Sequence, residues 1–131
     1  MKIEKIFKNL ILIDFLILIM IVISSMFQAS EYSEIDHHLK KGLLSNYQDF
    51  STALSLILFI LYLITLNLLY RFVSYSKHLY LGLVVAGLLF NLFNGSVIFT
   101  SFGSILDQIG GIVTGAILIL LYYSPIREYF K

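Results

Sequence analysis

The chain has no cysteine and no tryptophan, and it has a single proline. Only 13% of its 131 residues are Asp, Glu, Lys or Arg, about half the share of a soluble domain. Without cysteine there is no disulfide framework, no thiol nucleophile and no thiolate metal site. A net charge of +1 provides no basic face for nucleic acid. No HExxH, phosphate loop or convergent Ser-His-Asp set occurs, so no catalytic, cofactor-binding or metal-binding residue is expected. The chemistry classes that can be recognised from short motifs are therefore set aside at the start.

What is abundant is apolar. Hydrophobic residues make up 59% of the chain, with 25 Leu and 19 Ile, and the mean hydropathy is +0.90. That composition predicts an integral membrane protein with little chain outside the bilayer. Residues with AT-rich codons (Phe, Tyr, Met, Ile, Asn, Lys) number 54, against 15 Gly, Ala, Arg and Pro. This bias suggests a low-GC bacterium or a mobile gene island, and with it a bacterial inner membrane.

A crossing helix needs about 20 mostly apolar residues. Uncharged runs place four spans at approximately 9–28, 51–72, 79–99 and 104–123, with an external loop over 29–50. The first run is too long for a leader's apolar region and lacks a good small-x-small cleavage site, so it is expected to remain as a span. Ser124-Pro125 should end the last helix. The fold class is therefore all-α: an integral membrane four-helix antiparallel bundle forming a single domain.

Basic residues orient the spans. Lys2, Lys5, Lys8, Arg71, Lys77, Arg127 and Lys131 fall on one side, and only Lys40 and Lys41 on the other. Seven against two predicts both termini in the cytoplasm, N-in/C-in. Tyr70, Phe72, Tyr75, Tyr80, Tyr122 and Tyr123 gather at the same side, as an interfacial aromatic belt would. In the external loop, Ser33-Glu34-Ile35-Asp36 resembles a capping box and Gly42 a helix stop, predicting a short helix on the outer leaflet. His37 and His38 are adjacent, so on a helix they point about 100° apart and cannot chelate one ion together. They read as solvated residues, with a pH-sensing role as the alternative.

Polar residues inside the bilayer supply the candidate site. Asp14 lies six residues past Lys8, about 9 Å along a helix. A carboxylate at a membrane helix centre costs about 2.5–3.5 kcal/mol. Asp14 is therefore expected to be protonated, paired or facing a wet cavity, with Lys5 and Lys8 near enough for an ion pair. Helical geometry aligns Asp14, Leu18, Ile21, Ser25 and Gln28 on the first span. It aligns Ser51, Ser55, Tyr62 and Thr65 on the second, with Asn67 facing the other way.

The third span presents two faces, Gly82/Ala86/Phe93 and, roughly opposite, Gly87/Asn91/Asn94, which suggests a helix packed on both sides, either central in the bundle or touching another subunit. The fourth aligns Ser104, Asp107, Gly111, Thr114, Gly115, Leu118 and Tyr122. Gly82/Ala86 and Gly111/Gly115 are small-xxx-small pairs, and they predict a tight hairpin of spans three and four. Asp14, Asn67, Asn91, Asn94, Asp107, Gly111 and Gly115 are the candidate functional or assembly positions.

Two function classes remain. One is a non-enzymatic membrane protein acting by helix association with itself and with a protein partner in or at the membrane. A membrane sensor or accessory subunit of a phage-defence system, or an immunity protein against a pore-forming toxin, would be of this kind. The other is a small proton- or ion-coupled transporter or channel working as an oligomer through Asp14.

Overall fold

The computed structural model describes residues 2–31, 48–94 and 101–130, which are helical but for short turns. The expected external helix around residues 33–42, with His37 and His38, lies outside the described residues. Four helices are long and apolar enough to cross a membrane: α1 (Lys2–Glu31), α2 (Gln48–Tyr70), α3 (Ser76–Asn94) and α4 (Ser101–Tyr123). A 3₁₀ helix, Pro125–Phe130, follows α4. Neither Gly nor Pro interrupts α1 or α2. In lipid only an unbroken helix satisfies every backbone amide within its own segment.

The helices end where local chemistry dictates. α1 begins seven residues before the expected span, and Glu4 and Lys8, four apart, form an ion pair of 2.8 Å along its first turns. α2 stops at Tyr70 because Phe72 adopts φ 57°, the left-handed geometry that closes a helix. The Phe72 amide donates to the Leu69 carbonyl at 3.0 Å, and the Val73 amide to the Leu68 carbonyl at 3.1 Å. This paired pattern caps the last carbonyls. At the end of α4 the Ser124 hydroxyl donates to the Leu120 carbonyl at 2.6 Å, and its oxygen accepts from the Ile126 amide at 3.2 Å. Ser124 thereby folds the chain into the 3₁₀ helix beyond Pro125.

Packing corrects the expected helix pairing. α1 lies along α4 and α2 against α3, with a lesser contact between α1 and α2. α3 and α4 do not form the close pair that their small residues suggested. The reason is rotational: a Cβ added at Gly82, Gly87, Gly111 or Gly115 would meet nothing within 4 Å. The close approach occurs at Gly110, where a Cβ would stand 3.4 Å from Cγ2 of Ile17. Accordingly the buried seam of α4 is Gly103, Leu106, Val113, Ile117 and Leu121, about one residue around from the Ser104–Gly111–Gly115 stripe. α3 is not central in the described bundle, one of the two settings its two faces suggested. It is the least buried of the four, and among its described side chains only Ser76 and Tyr80, at its start, are fully enclosed.

One end of the bundle carries most of the core. Phe7, Leu69, Tyr80, Leu121, Ile126 and Phe130 are all essentially inaccessible there. Phe72 joins them through its ring, with centroids 5.8 Å from Phe7, 5.3 Å from Phe130 and 5.4 Å from Tyr129. Lys8 places its ammonium 5.1 Å from the Phe72 ring and 5.4 Å from that of Tyr70, a cation–π arrangement. The start of α1, the α2–α3 turn and the C-terminal 3₁₀ helix are thus held in one aromatic clasp. α3 and α4 meet near this end, where the Tyr122 hydroxyl donates to the Lys77 carbonyl at 3.3 Å.

Candidate functional site

Asp14 sits on the inner stripe of α1, in step with Phe7, Ile11 and Ile17, and is 4% exposed. Two turns of helix separate it from the aromatic clasp. Residues seven apart stack on one helix face, so the packing that buries Phe7 also carries the carboxyl inward. Its partner is a tyrosine, not a lysine. The Tyr62 hydroxyl on α2 donates to Oδ2 of Asp14 at 2.6 Å, a short O–H···O bond. Lys8 is occupied instead by Glu4 and the two rings. Of the settings open to Asp14, the ion pair with Lys8 does not form, and a phenol–carboxyl contact stands in its place.

The other two helices complete the cluster. The Tyr80 hydroxyl, from the second turn of α3, lies 3.3 Å from that of Tyr62, with ring centroids 5.7 Å apart. Thr114 of α4 and Tyr80 both face the Asp14 carboxyl group. Each of the four long helices thus contributes one polar side chain to a single point: Asp14, Tyr62, Tyr80 and Thr114. Nearby, the buried Thr65 is satisfied by its own helix, its hydroxyl donating to the Leu61 carbonyl at 2.7 Å. Among the described residues no buried side-chain nitrogen or oxygen lacks a partner.

This arrangement has two chemical capacities. A carboxyl group surrounded by hydroxyls from the other three helices ties them together, because an unmet polar group in lipid costs far more than one in water. The same group is the one acid within the described bundle interior, so it can hold or release a proton without disturbing an ion pair. No group of three or more His, Asp or Glu comes together among the described residues.

The other candidate positions do not converge on Asp14. Asn67, Asn91 and Asp107 are exposed on the outer surface. Gly111 and Gly115 border open space, and Asn94 closes α3. The sequence reading missed Tyr80 and Thr114 as partners, treating Tyr80 as a belt aromatic. One signal was available: Asp14 lies six residues inside Lys8, and Tyr62 nine residues inside Arg71, so both stand at similar depth from the same charged boundary.

Comparison with protein-family models, with curated sequences and with solved structures finds no match for the chain.

Proposed function

We propose that this is a non-enzymatic, multi-pass protein of a bacterial inner membrane that acts by helix association, with itself and with a protein partner in the bilayer. Its helices run antiparallel with both termini cytoplasmic, the orientation that seven basic residues against two favour. The observation that carries this reading is the outer surface of α3. Asn91 is exposed there, and Gly87, one turn before it, has nothing within 4 Å of where a Cβ would stand. An amide facing lipid is unfavourable, and a small residue beside it lets another helix approach closely enough to bond to it. Gly111 and Gly115 offer α4 a similar open stripe. A sensor or accessory subunit of a phage-defence system, or an immunity protein against a pore-forming toxin, would use such faces in this way.

The test exploits the open space. Because an added Cβ at Gly111 or Gly115 would meet nothing within 4 Å among the described residues and Asn91 is exposed, Gly111→Leu, Gly115→Leu and Asn91→Leu should leave the melting temperature of the monomer within a few degrees of the parent. The same changes should reduce cross-linked dimer or partner complex in membranes at least about fivefold, the size of a 1 kcal/mol coupling. Unchanged cross-linking in all three variants would remove the association reading.

A second reading rests on Asp14 itself, a buried carboxyl with hydroxyl partners and no cation: a proton-coupled transporter or channel. It predicts proton flux into proteoliposomes that Asp14→Asn abolishes. Vesicles that stay silent with the parent protein exclude it.

A further inference from the structure

The α1 end of the aromatic clasp borders an open groove of about 530 Å³, lined by Lys2, Glu4, Lys5, Lys8, Asn9, Leu12 and Tyr70. Three ammonium groups face one carboxylate, and that carboxylate is already held by Lys8. Lys2 and Lys5 therefore have no acidic partner among the described residues. The groove also has a direction. Lys2, Lys5, Asn9 and Leu12 follow one face of α1, passing from cationic through amide to apolar in about 15 Å. The same face continues as Leu16, Ile19 and Ile23, which are 58%, 37% and 49% exposed. Tyr70 forms the opposite wall.

We propose that this groove binds the headgroup of an anionic phospholipid. The phosphate sits between Lys2 and Lys5, the amide of Asn9 meets the glycerol esters, and one acyl chain follows Leu12, Leu16 and Ile19 into the bilayer. Lysine is a compact, strongly charged donor set suited to phosphate as a point charge. The apolar track selects a lipid over a soluble phosphate, since a free phosphate would leave Leu12 and the residues beyond it without a role. The site rests on the four-helix membrane fold and is independent of the association reading.

The full chain, purified in a neutral detergent, is titrated with phosphatidylglycerol, with phosphatidylcholine and with glycerol 3-phosphate, and bound lipid is read by native mass spectrometry. Phosphatidylglycerol should be retained and phosphatidylcholine should not. The K2Q/K5Q variant should lose at least about tenfold in phosphatidylglycerol affinity, each lysine near an anionic surface weighing about fivefold. The charge-matched variant K77Q/R127Q should lose less than about twofold, and Leu12→Gln, which keeps every charge, should also weaken retention. Both lysines are exposed, so K2Q/K5Q should fold, and its melting temperature checks that. Equal losses in the two double variants would overturn the site in favour of diffuse charge. Full retention by K2Q/K5Q would overturn it outright. Displacement of the lipid by millimolar glycerol 3-phosphate would overturn the lipid assignment in favour of a soluble phosphate site.

Discussion

Tyr62→Phe should lower the unfolding free energy of the protein in bicelles or detergent by about 1.5 kcal/mol, near the upper end for a hydrogen bond between membrane helices. Asp14→Asn should lower it by less than half of that. The asymmetry follows from which group donates. Tyr62 donates the 2.6 Å bond to the Asp14 carboxyl, and phenylalanine removes that donor while leaving the buried carboxyl to Tyr80 and Thr114 alone. A buried acceptor that loses a donor is the expensive case. Asparagine at position 14 keeps a carbonyl oxygen where Oδ2 stands, so Tyr62 still has something to donate to. Because asparagine keeps the acceptor, Tyr62→Phe should cost nearly as much in the Asp14→Asn background as in the parent. Equal losses in the two single variants, or no loss in either, would show that the contact does not hold α1 to α2.

The same two variants separate the functional readings. On the association reading, Asp14→Asn should retain partner binding, because the outer faces of α3 and α4 are untouched. On the transport reading it abolishes flux while the protein remains folded. Tyr62→Phe leaves the protonatable group in place, so flux should survive in whatever fraction stays folded. Stability and flux are thus expected to diverge in opposite directions for the two substitutions.

The span count was legible in the sequence because one rule governs it: a crossing helix needs about twenty residues with few charges, and four such runs exist. Asp14 was legible as a position for a related reason, since a lone acid in an apolar run has few innocuous explanations. Its partners were not. Tyrosine is common at membrane interfaces, so Tyr80 in a cluster of aromatics reads as belt, and only the tertiary placement of α3 turns it inward. The small-residue stripes misled for a different reason. Gly111/Gly115 shows that α4 can be approached closely on one face, and says nothing about whether the approaching helix belongs to the same chain. Here Gly110, one residue around from that pair, makes the contact with Ile17. The seam was set by Val113, Ile117 and Leu121, four residues apart, packing along α1. That rotation of about 100° left the glycines outside.

Phe72 should be the most sensitive single position, and its substitutions should rank in an unusual order: Phe72→Gly less damaging than Phe72→Ala. At most sites outside tight turns alanine is the gentler change, because glycine adds freedom to the unfolded chain. At φ 57° the preference inverts, since a Cβ in the left-handed region costs about 1–2 kcal/mol that glycine does not incur. Both variants lose the ring that touches Phe7, Phe130 and Tyr129 and lies beneath the Lys8 ammonium. Loss of a packed phenylalanine costs about 3–5 kcal/mol. Phe72→Ala is thus expected to fall by that amount with the backbone strain retained, and Phe72→Gly by about 1 kcal/mol less. Phe72→Tyr, which keeps the ring contacts, should stay within about 1 kcal/mol of the parent. Thermal unfolding of the three variants in one detergent gives the ranking directly. If alanine proves the milder change, the strained turn is not what fixes the α2–α3 link. If neither variant is destabilised, the aromatic clasp does not hold the two ends of the chain. The clasp also seats Phe7 two turns from Asp14 on the same stripe of α1, so its loss should loosen the Tyr62–Asp14 bond as well. Phe72→Ala and Tyr62→Phe combined should therefore cost less than the sum of the separate losses.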